Sequence, residues 1–260
     1  MAAVKLRLYH WEPVTECAKV MICLREMELD FTSEYVDILE FKQFSKKLLG
    51  MNPAGQVPVL AYGKTAISES TLINEFLVEA FPGKGLAPTD PKGWYALQAW
   101  GKYLDYNLGP SVATLGWHAT MVPLMKQRDP KKLEKAVGKI PVKERQAAWT
   151  AATSEAYAPE QLADSKRKVE LAVKRMDAAL GNSPWLMGED YSIIDINAFA
   201  LSSTLPRLAP EVVNPNITPN LVKWLDRIAA RPAVAEVLAM RRMTEPRDVY
   251  APGPEHSRWG

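Results

Sequence analysis

Cysteine and histidine are both scarce in this chain: two cysteines (Cys17, Cys23) and three histidines (His10, His118, His256) among 260 residues. Six positions apart on a helix, the two cysteines point to different faces, so no disulfide is expected between them. Such sparse thiol usage suits a reducing compartment, the cytoplasm. No CxxC or HExxH spacing occurs, and no metal site is expected. No apolar run approaches the ~18 residues that span a bilayer. The opening residues, MAAVKLRLYHW, lack the apolar h-region of a secretory signal, so no membrane association is expected. Charge of one sign is not in excess: 32 Lys+Arg stand against 30 Asp+Glu, a formal +2. With no run of five like charges, nothing electrostatic points to a nucleic-acid partner. The 47% hydrophobic and 24% charged composition excludes gross disorder. The one excess is tryptophan, with eight residues.

At ~100–200 residues per domain the length allows one or two domains, and the patterning splits it in two. Residues 4–9 alternate apolar and polar side chains, a strand signal. Residues 15–27 carry apolar residues at helical spacing, and residues 30–36 alternate again. Residues 41–49 read as a short basic helix, and the turn-rich 52–56 leads into a third strand. Gly63-Lys64 is a two-residue hairpin signal that returns residues 65–67 antiparallel. Glu69-Ser70 opens a helix over 71–81. The order for residues 1–82 is therefore βαβαββα. Residues 83–92 are rich in Gly and Pro and form a linker. Strand signals then vanish. Helices are expected over 94–108, 162–180, 191–205, 221–230 and 233–243, giving an all-α unit over 93–243 and an irregular tail over 244–260. Ser192 and Asp195 have the spacing of a capping box, with Tyr191 and Ile196 placed for a hydrophobic staple.

NPAGQVPVL before the third strand, ESTLINEF at the next helix and the later SIID box, in this domain order, resemble the glutathione transferase superfamily. The resemblance covers roughly residues 4–240. It implies an α+β thioredoxin-like domain followed by an all-α helical domain, glutathione as co-substrate, and a homodimer. It also implies a cis peptide before Pro58, with the Gln56-Val57 backbone edge turned out to pair with the cysteinyl part of glutathione. Glu69 and Ser70 match the residues that hold the γ-glutamyl end. A helix N-terminus with a hydroxyl and unpaired amides suits a carboxylate, although the same pair also serves as a plain helix cap. Thr114-Leu-Gly-Trp117, Lys139-Ile-Pro-Val and Trp149 are similar to the bacterial glutathione-dependent β-etherases, the LigF-like branch, and to nu-like transferases. In that branch the stretch 119–159 lengthens the helical domain. The implied reaction is cleavage of a β-aryl ether by glutathione thiolate, with an aromatic electrophile as second substrate.

The thiolate-stabilising position of this family lies in the loop 12–17, EPVTEC, where the sequence departs from the family pattern. Three readings stand open. The Thr15 hydroxyl donates to the glutathione sulfur; Cys17 at a helix start is itself a reactive thiol; or backbone amides alone hold the thiolate. The second makes the protein a thiol-disulfide reductase or glutathione lyase acting through Cys17; the unusual Thr15-Glu16-Cys17 loop also leaves open a non-catalytic glutathione-binding protein. Glu16 is unfavourable beside a thiolate unless it points away or binds the glutathione amine. Gln43, Lys46 and Lys47 are candidates for the glycyl carboxylate, through charge-assisted hydrogen bonds. Tyr106, Trp117, His118 and Trp149 are candidates for the wall of an aromatic site, with a core role as the plain alternative for each. His118 is also a candidate donor to a leaving oxygen.

Overall fold

The computed structural model describes residues 4–154 and 157–243; the tail expected over 244–260 lies outside them. Strands β1 (Leu6–His10), β2 (Phe31–Tyr35), β3 (Val59–Tyr62) and β4 (Thr65–Ser68) form one sheet in the order β2-β1-β3-β4. β1 and β2 are parallel, as a helical crossover requires, and α1 (Thr15–Glu26) supplies it. β3 runs antiparallel to both β1 and β4. Gly63, at φ +61°, makes the tight return between β3 and β4, a backbone state glycine adopts without steric cost. Helices α2 (Lys46–Met51) and α3 (Ser70–Ala80) complete the unit.

The basic helix expected over 41–49 is shorter than its pattern suggested. Two 3₁₀ turns, Ile38–Glu40 and Lys42–Phe44, come first, broken by Phe41 at φ +55°. α2 begins only after Ser45, whose hydroxyl accepts from the Leu48 amide at 3.4 Å. Asp37 caps the first turn in the same way, accepting from Leu39 at 3.0 Å.

The helical domain opens at Asp90, whose carboxylate accepts from the Lys92 and Gly93 amides, both at 3.0 Å. From there one helical rod continues through α4 (Pro91–Tyr103), a π turn (Leu104–Leu108), α5 (Gly109–Gly116), a second π turn (Trp117–Met121) and α6 (Val122–Lys126). α7 (Pro130–Val137), α8 (Lys143–Ser154), α9 (Pro159–Leu180), α10 (Ile193–Ser202), α11 (Leu205–Leu208), α12 (Pro219–Ala229) and α13 (Pro232–Ala239) follow. At α10 the capping box forms. The Ser192 hydroxyl accepts from Ile194, at 3.2 Å, while Asp195 reaches back to the Ser192 amide at 3.1 Å. Asp195 also accepts from Leu186 N and Trp224 Nε1, both at 3.0 Å, tying α10 to α12.

α1 is the element that joins the halves. It is buried from Thr15 to Leu24 and packs on α3 of its own domain and on α10 and α13 of the helical one. A single apolar core therefore runs from Leu8 through Met21 to Trp117 and Trp224. The stretch 119–159 adds a second junction. Arg128 donates to the Leu39 carbonyl at 2.8 Å and to Glu40 at 2.9 Å, and Arg145 donates to the Ala54 carbonyl at 3.1 Å. Phe41 meets Trp149 edge-on at 5.0 Å. This stretch folds back over the first domain as well as lengthening the second.

Candidate glutathione site

Strand register assembles the site. Tyr9 pairs with Val59 and Val59 with Ser68, while His10 pairs with Tyr35. The end of β1, the start of β3 and the end of β4 thus lie side by side. Three stretches meet there: the loop 11–14, the Val57–Pro58 bond, which is cis, and Glu69-Ser70. Both α1 and α3 begin at this end, so two sets of unpaired N-terminal amides gather on one side, a favourable place for anions. Thr15, the first residue of α1, and Glu69, immediately before α3, have positive φ without being glycine, at +43° and +70°. Such conformations are costly for side-chain-bearing residues and concentrate at ligand sites.

The two helix starts are linked. The Ser70 hydroxyl donates to Glu16, and the ammonium of Lys19 lies 2.9 Å from both Glu16 and Asp105. Asp105 sits on the π turn after α4 and also accepts from the Thr71 hydroxyl at 3.1 Å. Lys19 has no exposed surface. Burial alone disfavours its charge, but Asp105 and Glu16 outweigh burial and hold it protonated. Glu16 is thus turned into this cluster.

Thr15 is buried at the head of α1, and Cys17 is buried two residues on. The Cys17 sulfur accepts from the Trp11 amide at 3.3 Å, but burial dominates and pushes the thiol up to about 12. A thiol so placed is held protonated at neutral pH. Gln56 and Val57 are half-buried and Pro58 buried; the Gln56 carbonyl accepts from Asn52 at 3.1 Å. Glu69 occupies the N-cap position of α3, its carbonyl accepting from the Ile73 amide at 2.8 Å, while its side chain is exposed and caps nothing. Lys46 and Lys47 are exposed on α2, Lys47 lying over the Tyr9 ring at 4.7 Å. Gln43 is turned inward and donates to Ile38 at 3.3 Å, so it does not stand open for a carboxylate.

The aromatic candidates separate. Trp117 and Trp149 are 0% exposed and pack edge to face at 5.0 Å, inside the shared core. They present no face to a ligand in this structure; helical spacing does not distinguish a core stripe from a pocket wall. Tyr106 is 55% exposed. His118 is half-buried against Tyr157, its Nδ1 without a hydrogen-bond partner among the described residues. An open cavity of 390 Å³ lies elsewhere between the domains, lined by Tyr35, Asp37, Leu39, Leu124, Gln127, Arg128 and Met243. None of these residues was singled out from sequence, because they come from three distant segments.

This arrangement defines a two-domain thiol transferase fold, a thioredoxin-like unit with a helical partner. The chain matches the family models of the glutathione S-transferase N-terminal domain over residues 16–80 and C-terminal domain over residues 118–232, and it belongs to the glutathione S-transferase family, whose co-substrate is glutathione. Protein LigF of a Sphingobium species is 34% identical over 238 residues, 89% of this chain and 92% of its own. The crystal structure of the β-etherase LigF from Sphingobium sp. strain SYK-6 superposes with a TM-score of 0.84 at 33% identity, covering 90% of this chain and 99% of that one. Glutathione S-transferase F14 of Arabidopsis thaliana is 25% identical over 93% of this chain and 85% of its own.

Proposed function

We propose that this enzyme cleaves β-aryl ethers with glutathione, leaving a glutathione thioether. The observation that carries the chemistry is the meeting of two helix N-termini beside the cis Val57–Pro58 bond. The substrate class is supported by the 34% identity to LigF, a relative whose solved structure is described as a β-etherase. In this reading the γ-glutamyl carboxylate takes the free amides at the start of α3 with Ser70, and Glu16 takes the neighbouring ammonium. The cysteinyl backbone pairs with the Val57 edge, and Lys46 meets the glycyl carboxylate.

A free thiol titrates near ~8.5, so little thiolate exists at neutral pH without assistance. The Thr15 hydroxyl and the amides opening α1 supply it, and the thiol proton passes to solvent. The sulfur attacks the carbon bearing the aryloxy group, next to a ketone. The carbon–sulfur bond forms as the carbon–oxygen bond breaks. The electron pair leaves on the aryloxide, which takes a proton from water. Alignment of the two reactants in one cleft supplies much of the acceleration. The aromatic part of the substrate lies in the interdomain cavity, whose size falls in the ordinary ~300–1,000 Å³ range of ligand pockets.

The functional unit is a homodimer in this reading. Leu72, Tyr95 and Tyr106 are large apolar side chains left exposed on α3, α4 and the π turn that follows. These elements pack side by side, as the Thr71–Asp105 hydrogen bond shows. Mixing the protein with glutathione and a β-aryloxy ketone tests the reaction: phenol and glutathione thioether should appear in equal amounts. Turnover of a chloro-aromatic without ether cleavage would remove the ether assignment and keep the transferase. Binding to immobilised glutathione with no turnover of either would favour a binding protein.

A further inference from the structure

Glu12 lies in the loop between β1 and α1 and has no exposed surface. A buried carboxylate is costly unless donors surround it. This one has three: the Tyr35 hydroxyl at 2.6 Å, the Arg242 amide at 2.9 Å and the Met243 amide at 3.2 Å. Two of the three come from the backbone beyond α13, at the far end of the described chain. The Arg242 guanidinium then lies over the Tyr35 ring at 4.2 Å, closing the group on itself. Burial and the hydrogen bond to Glu12 keep the Tyr35 phenol protonated, so it remains a donor.

Tyr35 and Met243 are both walls of the interdomain cavity, whereas Glu12 is not among the residues that line it. Glu12 therefore stands behind the cavity and touches two of its walls. We infer that Glu12 is a positioning residue for the second substrate: it clamps the Arg242–Met243 backbone to the β1–α1 loop and sets the width of the aromatic site. This rests on the reading of the cavity as that site. The clamp is made to main-chain N–H groups, so it fixes where the chain runs whatever side chains it carries. It also places one wall of the aromatic site on the same loop that leads into Thr15. Tyr35 supplies the third point, so the clamp spans β2, the loop and the C-terminal segment.

Glu12→Gln keeps the shape but turns an amide nitrogen toward a donor that needs an oxygen. Loss of a buried hydrogen bond to a charged group predicts a rise of about tenfold in KM for the aryl ether. KM for glutathione should change by less than about twofold. Amide hydrogen exchange at Arg242 and Met243 should quicken by a similar factor. Arg242→Pro deletes one of the two N–H donors while leaving Glu12 intact, and it should raise the same KM; it reads the clamp even if Glu12→Gln does not fold. Unchanged KM for the ether in both variants, or an equal rise for both substrates, overturns the inference. So does unchanged amide exchange in Glu12→Gln. Absence of ether cleavage by the native enzyme overturns the functional reading instead. The exchange measurement, with KM for a chloro-aromatic, then judges the clamp separately.

Discussion

Thr15 holds a left-handed backbone at φ +43° that a β-branched residue adopts at a cost of about 1–3 kcal/mol. The fold sustains that strain at the residue proposed to face the sulfur. Thr15→Ala should lower kcat/KM by about 10–100-fold and raise the titration midpoint of bound glutathione, read from its ultraviolet thiolate band. Cys17, two positions on, behaves as packing. Cys17→Ala should cost about 1–2 kcal/mol of stability by denaturant unfolding and leave turnover per folded molecule unchanged. A Cys17-dependent reductase predicts total loss instead. His10 is a further group with a readable pH signature. Its ring meets Ser33 at 2.6 Å and the Trp11 carbonyl, and burial is the main reason its proton is held more weakly than usual. The unfolded chain then binds a proton that the folded chain does not. Stability should fall as pH drops below about 6.5, the unfolded value, and level off below the folded one. Thermal unfolding across that range should show this acid limb, and His10→Gln should flatten it.

At the scale of elements, α1 carries an apolar pattern interrupted by Glu16 and Lys19, and the interruption is where the domains connect. Lys19 bridges Glu16 on its own helix to Asp105 on the π turn. Lys19→Met leaves two carboxylates without their shared cation and should destabilise the protein by about 3–5 kcal/mol. Chemical denaturation measures this, and adding Asp105→Asn should recover part of the loss. The order of strands and helices was legible because alternation and helical spacing report one buried face each. β1, the β3–β4 return and α3 fall close to where their patterns place them. What was not legible was anything that depends on a distant partner. Lys19 reads as one charged residue in an apolar run, and only Asp105, 86 positions away, makes it a bridge. Glu12 is equally silent until Arg242 and Met243 arrive. The helix expected over 94–108 stops at the first π turn; each π turn, Leu104–Leu108 and Trp117–Met121, takes more residues per turn than an α-helix and shifts the buried face, which breaks the spacing that sequence periodicity reads. At the basic segment, Lys42, Lys46 and Lys47 suggest one helix over 41–49, but the left-handed backbone of Phe41 and the extended backbone of Ser45 divide it into a 3₁₀ turn and α2.

For the whole molecule, a core continuous from Leu8 to Trp224 implies that the two domains do not unfold separately. Circular dichroism and tryptophan fluorescence should report one coincident transition, since Trp11, Trp117, Trp149 and Trp224 are all buried across both halves. Two separated transitions would contradict the shared core. Trp117 and Trp149, two of the eight tryptophans, fill the junction of the domains, and the cavity walls are drawn from other residues. The hydrogen bond from Arg145 to Ala54 has a consequence for engineering. Ala54 is the neighbour of the turn at Gly55, which leads directly into Gln56 and the cis bond before Pro58. The stretch 119–159 is thus attached to the peptide edge proposed to receive glutathione, although it belongs by sequence to the helical half. A chimera that exchanges this stretch with that of a relative will not be modular: it will shift affinity for the thiol donor along with preference for the acceptor.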